Sequence, residues 1–136
     1  MVPMRLARIV ISETSENQII VLQEIDGDRR FPIVIGIYEA TAIDRSLKEI
    51  RAPRPLTHDL LCSVINALDA QLERIIVTDL HNNTFYAKLV LTREGKTVEV
   101  DSRPSDAIAI ATNLGAPIFV EEEVLEKAAQ PPTQET

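Results

Sequence analysis

The sequence predicts a single α+β domain, with a mixed but largely antiparallel sheet and three to four helices. Three observations carry this. The chain has 136 residues, the length of one ordinary domain. Its β-branched runs come as neighbours joined by tight-turn residues, the pattern of antiparallel strands. Stretches of helical period interrupt them with no internal repeat or interdomain linker. Apolar residues make up 45% and charged residues 26%, the balance of a globular protein. Aromatics reach only 4% and Trp is absent, so the core must be aliphatic.

Met4 to Ile11 opens the fold, alternating Leu6, Arg8 and Val10 against Ala7, Ile9 and Ile11, a strand buried on at least one side. Gln18 to Ile25 runs into Asp26-Gly27-Asp28 and returns as Arg30 to Ile35. Asp-Gly between two such runs predicts a hairpin with φ > 0 at Gly27. Pro32 predicts an edge or strand start, because proline cannot donate to the ladder. After Gly36 a helix is predicted from Tyr38 to Arg51, with Ala40, Ile43, Leu47 and Ile50 on one arc and Glu39 at its border. Ala52-Pro53-Arg54-Pro55 is a stiff extended break. A second helix is expected from His58 to about Leu72, capped by the Thr57 hydroxyl and apolar enough to be the central core helix.

Arg74 to Leu80 and Thr84 to Leu91 form strands around a His81-Asn82-Asn83 turn, and Glu94-Gly95-Lys96 leads into Thr97 to Val100. Pro104 suits the first turn of a third helix, where its missing N–H does no harm. The body of that helix, Ala107 to Ala111, is apolar all round and should be buried; Gly115 ends it. Pro117 to Val120 is a short strand. Glu121 to Ala129 is a last helix with acids facing the positive end of its dipole. The domain is therefore placed at residues 1–129, and residues 130–136, with two prolines, are expected to be disordered.

The chain carries 14 Lys and Arg against 21 Asp and Glu, a net charge of −7, which argues against holding nucleic acid by bulk charge alone. The excess is uneven: beyond residue 120, five glutamates face Lys127 alone. A single cysteine, Cys62, rules out an intramolecular disulfide and a thiolate-rich zinc site. It is read as a small buried hydrophobe. No apolar run approaches the roughly 20 residues of a membrane span, and the start does not form a signal-peptide core. A cytoplasmic location is expected.

Gly-rich phosphate loops, a G-x-S-x-G elbow and zinc-spaced histidines are all missing, and two histidines argue against a triad or a His-rich metal site. Three polar clusters remain at element junctions. Arg54-Pro55-Leu56-Thr57-His58-Asp59 reads either as a phosphate or metal site at a helix start or as a capped helix. Asp101-Ser102-Arg103-Pro104-Ser105-Asp106 offers two carboxylates to Mg²⁺ or Mn²⁺ and an arginine to a phosphoryl group, or else another cap with an ion pair. Glu39 is a general base, a ligand, or the salt-bridge partner of Arg54 or Arg103. Arg45, Lys48, Arg51 and Arg54 form a modest basic stretch, diluted by Asp44 and Glu49.

Three segments occur in order: Phe31-Pro32-Ile33-Val34-Ile35-Gly36 running into Glu39-Ala40, then Arg54 to Asp59, then Val100 to Ala109. Together they resemble the bifunctional nuclease (DNase/RNase) domain family across nearly the whole domain. The resemblance implies a compact α+β fold, self-association as a homodimer, and hydrolysis of DNA and RNA. The family's shared polar residues fall on Glu39, Thr57, His58, Asp59, Asp101, Arg103, Ser105 and Asp106. The resulting expectation is a metal-assisted phosphodiesterase of low sequence specificity. Glu39, His58, Asp59 and Arg103 are the catalytic candidates and Asp101 and Asp106 the metal ligands, with Arg54, Thr57 and Ser105 meeting the substrate. The competing expectation is a non-enzymatic dimeric module whose shared polar residues tie helix starts together. One site requires these residues to converge. A homodimer is also expected from the residues themselves: the return strand around Arg30 and Pro32 and the segment Thr84 to Leu91 look like sheet edges, and the all-apolar third helix needs cover.

Overall fold

Two antiparallel meanders of three strands each form the halves of one sheet. The first is β1 (Val2–Val10), β2 (Gln18–Glu24) and β3 (Arg30–Ile35); the second is β4 (Gln71–His81), β5 (Thr84–Arg93) and β6 (Lys96–Ser102). A three-residue strand, β7 (Ile118–Val120), joins them, antiparallel to β1 and parallel to β4. The order is therefore β3-β2-β1-β7-β4-β5-β6, in a computed structural model that describes residues 1–129. The expected disordered tail lies outside the described residues. The mixed sheet and four helices, α1 (Ile37–Leu47), α2 (Thr57–Ala67), α3 (Pro104–Leu114) and α4 (Glu122–Ala128), make an α+β domain.

The turns of the second meander follow from local chemistry. Asn82 and Asn83 have φ of 50° and 62°, and Glu94 and Gly95 have 52° and 78°. Positive φ at both central residues is the hairpin turn that matches strand twist. The Gly27 turn works differently from expectation. Its φ is not positive; instead, a Cβ there would lie 2.8 Å from Glu24 Oε1, so the missing side chain makes room for a carboxylate.

The sheet curls strongly. Phe31 on edge strand β3 stacks on Phe85 of β5, with ring centroids 5.4 Å apart, although four strands separate them in the order. Inside this curl lies α3, whose Ala107, Ile108, Ala109, Ile110 and Ala111 are all buried and whose end is turned by Gly115 at φ 71°. Its sequence is thus the core helix, and it needs no second copy to cover it. The expectation for α2 was wrong. That helix stops at Ala67, Gln71 already belongs to β4, and only Cys62 is fully buried. The first helix also ends early, at Leu47, leaving Leu47 and Ile50 more than half exposed. Edge assignment needs one correction too: β3 is an edge, but the segment Thr84 to Leu91 is interior and β6 is the other edge. Lys96, Glu99 and Asp101 blunt that edge with charge.

Candidate active site at three helix starts

Three helices begin near one another, and each carries a carboxylate three residues after its N-cap. The N-caps are Gly36, Leu56 and Arg103; the carboxylates are Glu39, Asp59 and Asp106. All three N-caps are extended, so the chain enters each helix from a strand-like segment, and no side chain caps a helix in the usual way. This corrects Thr57: it is the first helical residue and exposed, and Leu56 holds the cap position. Asp59 Oδ2 reaches back to accept the Leu56 N–H at 3.0 Å, the reciprocal half of a capping box. Acids in the first turn also answer the helix dipole.

Packing of α2 and α1 against α3 then joins the clusters. His58 Nε2 lies 2.9 Å from Asp106 Oδ1, across 48 residues. Arg103 donates to Asp106 Oδ2 from Nε at 3.0 Å and from Nη2 at 2.9 Å. The same Nη2 is 3.5 Å from Glu39 Oε1. The chain of contacts is His58–Asp106–Arg103–Glu39, and it runs from an imidazole that is 14% exposed to a carboxylate that is 11% exposed. Arg103 is 67% exposed. The hydrogen bond and charge of Asp106, with a smaller contribution from Glu39, raise the pKa of its guanidinium above the ordinary value.

Glu39 is held at this spot partly by an absence. A Cβ on Gly36 would lie 2.9 Å from Glu39 Oε1, although the φ of Gly36, −80°, suits any residue. Gly36 is therefore a matter of space, not of backbone conformation.

Four of the nine expected residues thus converge: Glu39, His58, Arg103 and Asp106. Asp59 is turned away, its Oδ1 accepting from Asn113 Nδ2 at 3.2 Å. Asp101 is exposed on β6, opposite Lys88, and bonds to none of the four. Arg54 is exposed and likewise apart; Ser105 is buried under the start of α3. Asn113 was not anticipated. Its signal lay in the sequence, since seven residues after Asp106 is two helical turns on the same face.

A groove of about 990 Å³ runs between α1 and α2. His58 and Asp59 line it, with Arg45, Glu49, Arg51 and Cys62, so the imidazole joins the groove to the carboxylate cluster. Burial, with Asp59 nearby, pushes the Cys62 thiol up to about 11. That suits a packed side chain and not a thiolate nucleophile. Among the described residues, no three His, Cys, Asp or Glu side chains are grouped to hold a metal ion. No helix among them is long and apolar enough to cross a membrane.

The fold and this cluster define a single α+β domain with a histidine, two carboxylates and a guanidinium brought together at converging helix starts. The chain belongs to the bifunctional nuclease domain family, whose model matches residues 20–133. It is 42% identical over 124 residues to an uncharacterized protein of Mycobacterium tuberculosis, covering 91% of this chain and 74% of that one. It is 27% identical over 114 residues to bifunctional nuclease 1 of Oryza sativa subsp. indica, covering 81% of this chain and 34% of the rice protein. Bifunctional nuclease 2 of Oryza sativa subsp. japonica is 25% identical over 114 residues.

Proposed function

We propose that the chain hydrolyses phosphodiester bonds in DNA and RNA with low sequence specificity, acting as a homodimer. The observation that carries this is the convergence of His58, Asp106, Arg103 and Glu39, of which His58 also lines the groove. With Nε2–H donated to Asp106, the lone pair of the imidazole lies on Nδ1, the arrangement of a general base oriented by a carboxylate. Because DNA has no 2′-hydroxyl, the nucleophile common to both substrates is water. In this reading Nδ1 takes a proton from that water as its oxygen bonds to phosphorus. The ester P–O bond then breaks, and the departing oxygen is protonated by solvent. Arg103, exposed yet anchored by Asp106, neutralises charge developing on the non-bridging oxygens. Arg54 and Thr57 at the start of α2 offer further contacts to phosphate.

The donor set does not fit a resident metal cage. Asp101 stands apart, and both oxygens of Asp106 are already engaged by His58 and Arg103. The metal-assisted form of the proposal instead has Mg²⁺ or Mn²⁺ arriving with the substrate's phosphate, as Mg²⁺ commonly does with only one or two carboxylates. Purified protein assayed on single-stranded DNA and RNA, with each ion and with EDTA, tests both parts. Activity in wild type that is lost in Asp106→Ala supports the enzyme; equal rates in the two refute it.

One observation favours a second reading. Each charge in the cluster is already satisfied by another, as in a structural network that ties three helices. On that reading Arg103→Ala lowers the melting temperature severely and no preparation hydrolyses either substrate.

A further inference from the structure

The arginines at the end of α1 play no part in the carboxylate cluster. Arg45 and Arg51 both line the groove between α1 and α2. Arg45 is half-buried and Arg51 exposed. Neither forms an ion pair among the described residues, whereas Lys48 between them is held by Asp44 at 3.1 Å. The helix dipole accounts for a cation in the last turn of α1, but Arg51 lies beyond its end. Of the two acids lining the groove, Asp59 already accepts from the Leu56 N–H and from Asn113. Exposed Glu49 is left as the opposing charge. His58 belongs to both the groove and the cluster. Along α1, Arg45 follows Glu39 by six residues, about 9 Å at the rise of a helix, so its guanidinium can meet a phosphate neighbouring the one at the cluster. Tyr38 shares a face with Ala42, Arg45 and Glu49 by helical spacing. It is 82% exposed, one of only two tyrosines in a chain without Trp.

We propose that this groove is the track of the substrate strand: a single strand of nucleic acid lies along α1, with Arg45 and Arg51 on phosphates flanking the scissile one and a base stacked on Tyr38. This deepens the nuclease reading and rests on it for the position of the scissile phosphate. Single-strandedness follows from shape. A duplex is stiff over about 150 base pairs, too stiff to bend into a cleft between two helices of 11 residues each; a single strand can. At about 990 Å³ the groove has the size of a site for one drug-sized ligand, which suits a few nucleotides. The arginines also answer the objection from charge. At −7 overall the chain cannot attract a polyanion in bulk, so unpaired cations beside the site must hold the backbone. Base identity goes unread, because a ring stacks on any base, and Ser63 and Asn66 on the α2 wall offer neutral hydrogen bonds.

Fluorescence anisotropy tests this on the full chain, titrated in EDTA into labelled oligothymidylate and oligouridylate, with the strands checked on a gel to be intact. Arg45→Ala and Arg51→Ala should each weaken binding about tenfold at low salt, the loss of one charged hydrogen-bonding partner. Each should also flatten the dependence of log K on log salt by about 0.7, the mark of one phosphate contact on a single strand. Tyr38→Ala should weaken binding by a similar factor with the slope unchanged, because stacking displaces no counterion. Glu49→Gln should tighten binding. Arg5→Ala, exposed on the face of β1 opposite buried Met4, should change neither affinity nor slope. An unchanged slope in either groove-arginine variant overturns the track, even where wild type hydrolyses both substrates. The expected loss of slope with no hydrolysis by any preparation leaves the strand in the groove and overturns the nuclease instead. No binding by wild type at low salt, or a matched duplex bound as tightly as the single strand, also overturns the track.

Discussion

Two places in this molecule set one arginine between two carboxylates, and they are built differently. Arg29 donates to Glu24 from Nε at 2.8 Å and Nη2 at 3.2 Å, and to Glu122 from Nη1 at 2.7 Å and Nη2 at 2.9 Å. Every nitrogen of its guanidinium is spent, and the bonds join a hairpin turn to α4 across 93 residues. Arg103 uses Nε and Nη2 on Asp106 and approaches Glu39 only at 3.5 Å, so Nη1 has no partner among the described residues. It is 67% exposed against 38% for Arg29, and its main partner is shared with a histidine. A saturated fork is a clasp; an unsaturated, exposed fork beside an imidazole can still meet an anion. The same three charges serve different ends because of their remaining donors and their neighbours.

The largest expected effect separates the two sites through chemistry. His58→Ala should lower hydrolysis by about 10²–10⁴-fold, the usual contribution of a general base, while the melting temperature barely moves. The arginines should then part company. Arg103→Ala is expected to lower the rate by about 10²–10³-fold, the cost of removing one preorganised donor to a developing anion, with little loss of stability for so exposed a side chain. Arg29→Ala should leave the rate unchanged and lower the melting temperature by a few degrees. Rates and melting curves on the same preparations check this. A large stability loss in Arg103→Ala with no rate to lose would make both forks clasps.

What the sequence made legible divides along similar lines. Turns were readable where the chemistry is local: Asn82-Asn83 and Glu94-Gly95 adopt the positive φ that their residues tolerate. The core role of α3 was readable because Ala107 to Ala111 leaves no polar face to show to water. For α2 the periodicity identified which residues share a face but not what covers it, and Leu60, Leu61, Val64 and Leu68 passed for core. Insertion of β7 between the meanders is a long-range event with no local signature. In the site, the clusters at helix starts were visible, but the link between His58 and Asp106 spans 48 residues and depends on how α2 packs on α3. Asp101 failed to join because β6 pairs with β5 through Ser102, which keeps it on the sheet surface two residues short of the helix entry.

Acid should distinguish the sites less strongly. Hydrogen bonds from Arg29 hold the Glu24 and Glu122 carboxyls below their ordinary value of 4.5. A carboxylate depressed on folding adds stability above its unfolded pKa, and that stability is lost as pH falls through the folded value. The wild-type melting temperature should therefore decline from about pH 5 downward. In Arg29→Ala the decline should be shallower, because those carboxyls then titrate near their unfolded value. Arg103 sends its own linkage the other way: its guanidinium, raised by the hydrogen bond and charge of Asp106, keeps its proton into strongly alkaline solution. Thermal scans at stepped pH decide it; parallel curves for wild type and Arg29→Ala would remove the clasp.

The smallest effect is expected at Gly36, and it tests whether the looser fork needs both carboxylates. A Cβ added there meets Glu39 Oε1 at 2.9 Å, closer than side chains tolerate, but the obstructing atom is the end of a flexible chain. Backbone strain is not at issue, because φ is −80°. Glu39 should therefore swing aside at little cost to folding, and Arg103 should lose its second anchor while keeping Asp106. If Glu39 only steadies the guanidinium, Gly36→Ala should slow hydrolysis by several-fold, and Glu39→Gln, which retains a polar acceptor for Arg103, should stay closer to wild type. If Glu39 instead carries a proton or an ion, Glu39→Gln should be the more damaging of the two by a wide margin. Comparing kcat for both variants, with melting temperatures as the control, assigns the role. Equal and unchanged rates would confine the site to His58, Asp106 and Arg103.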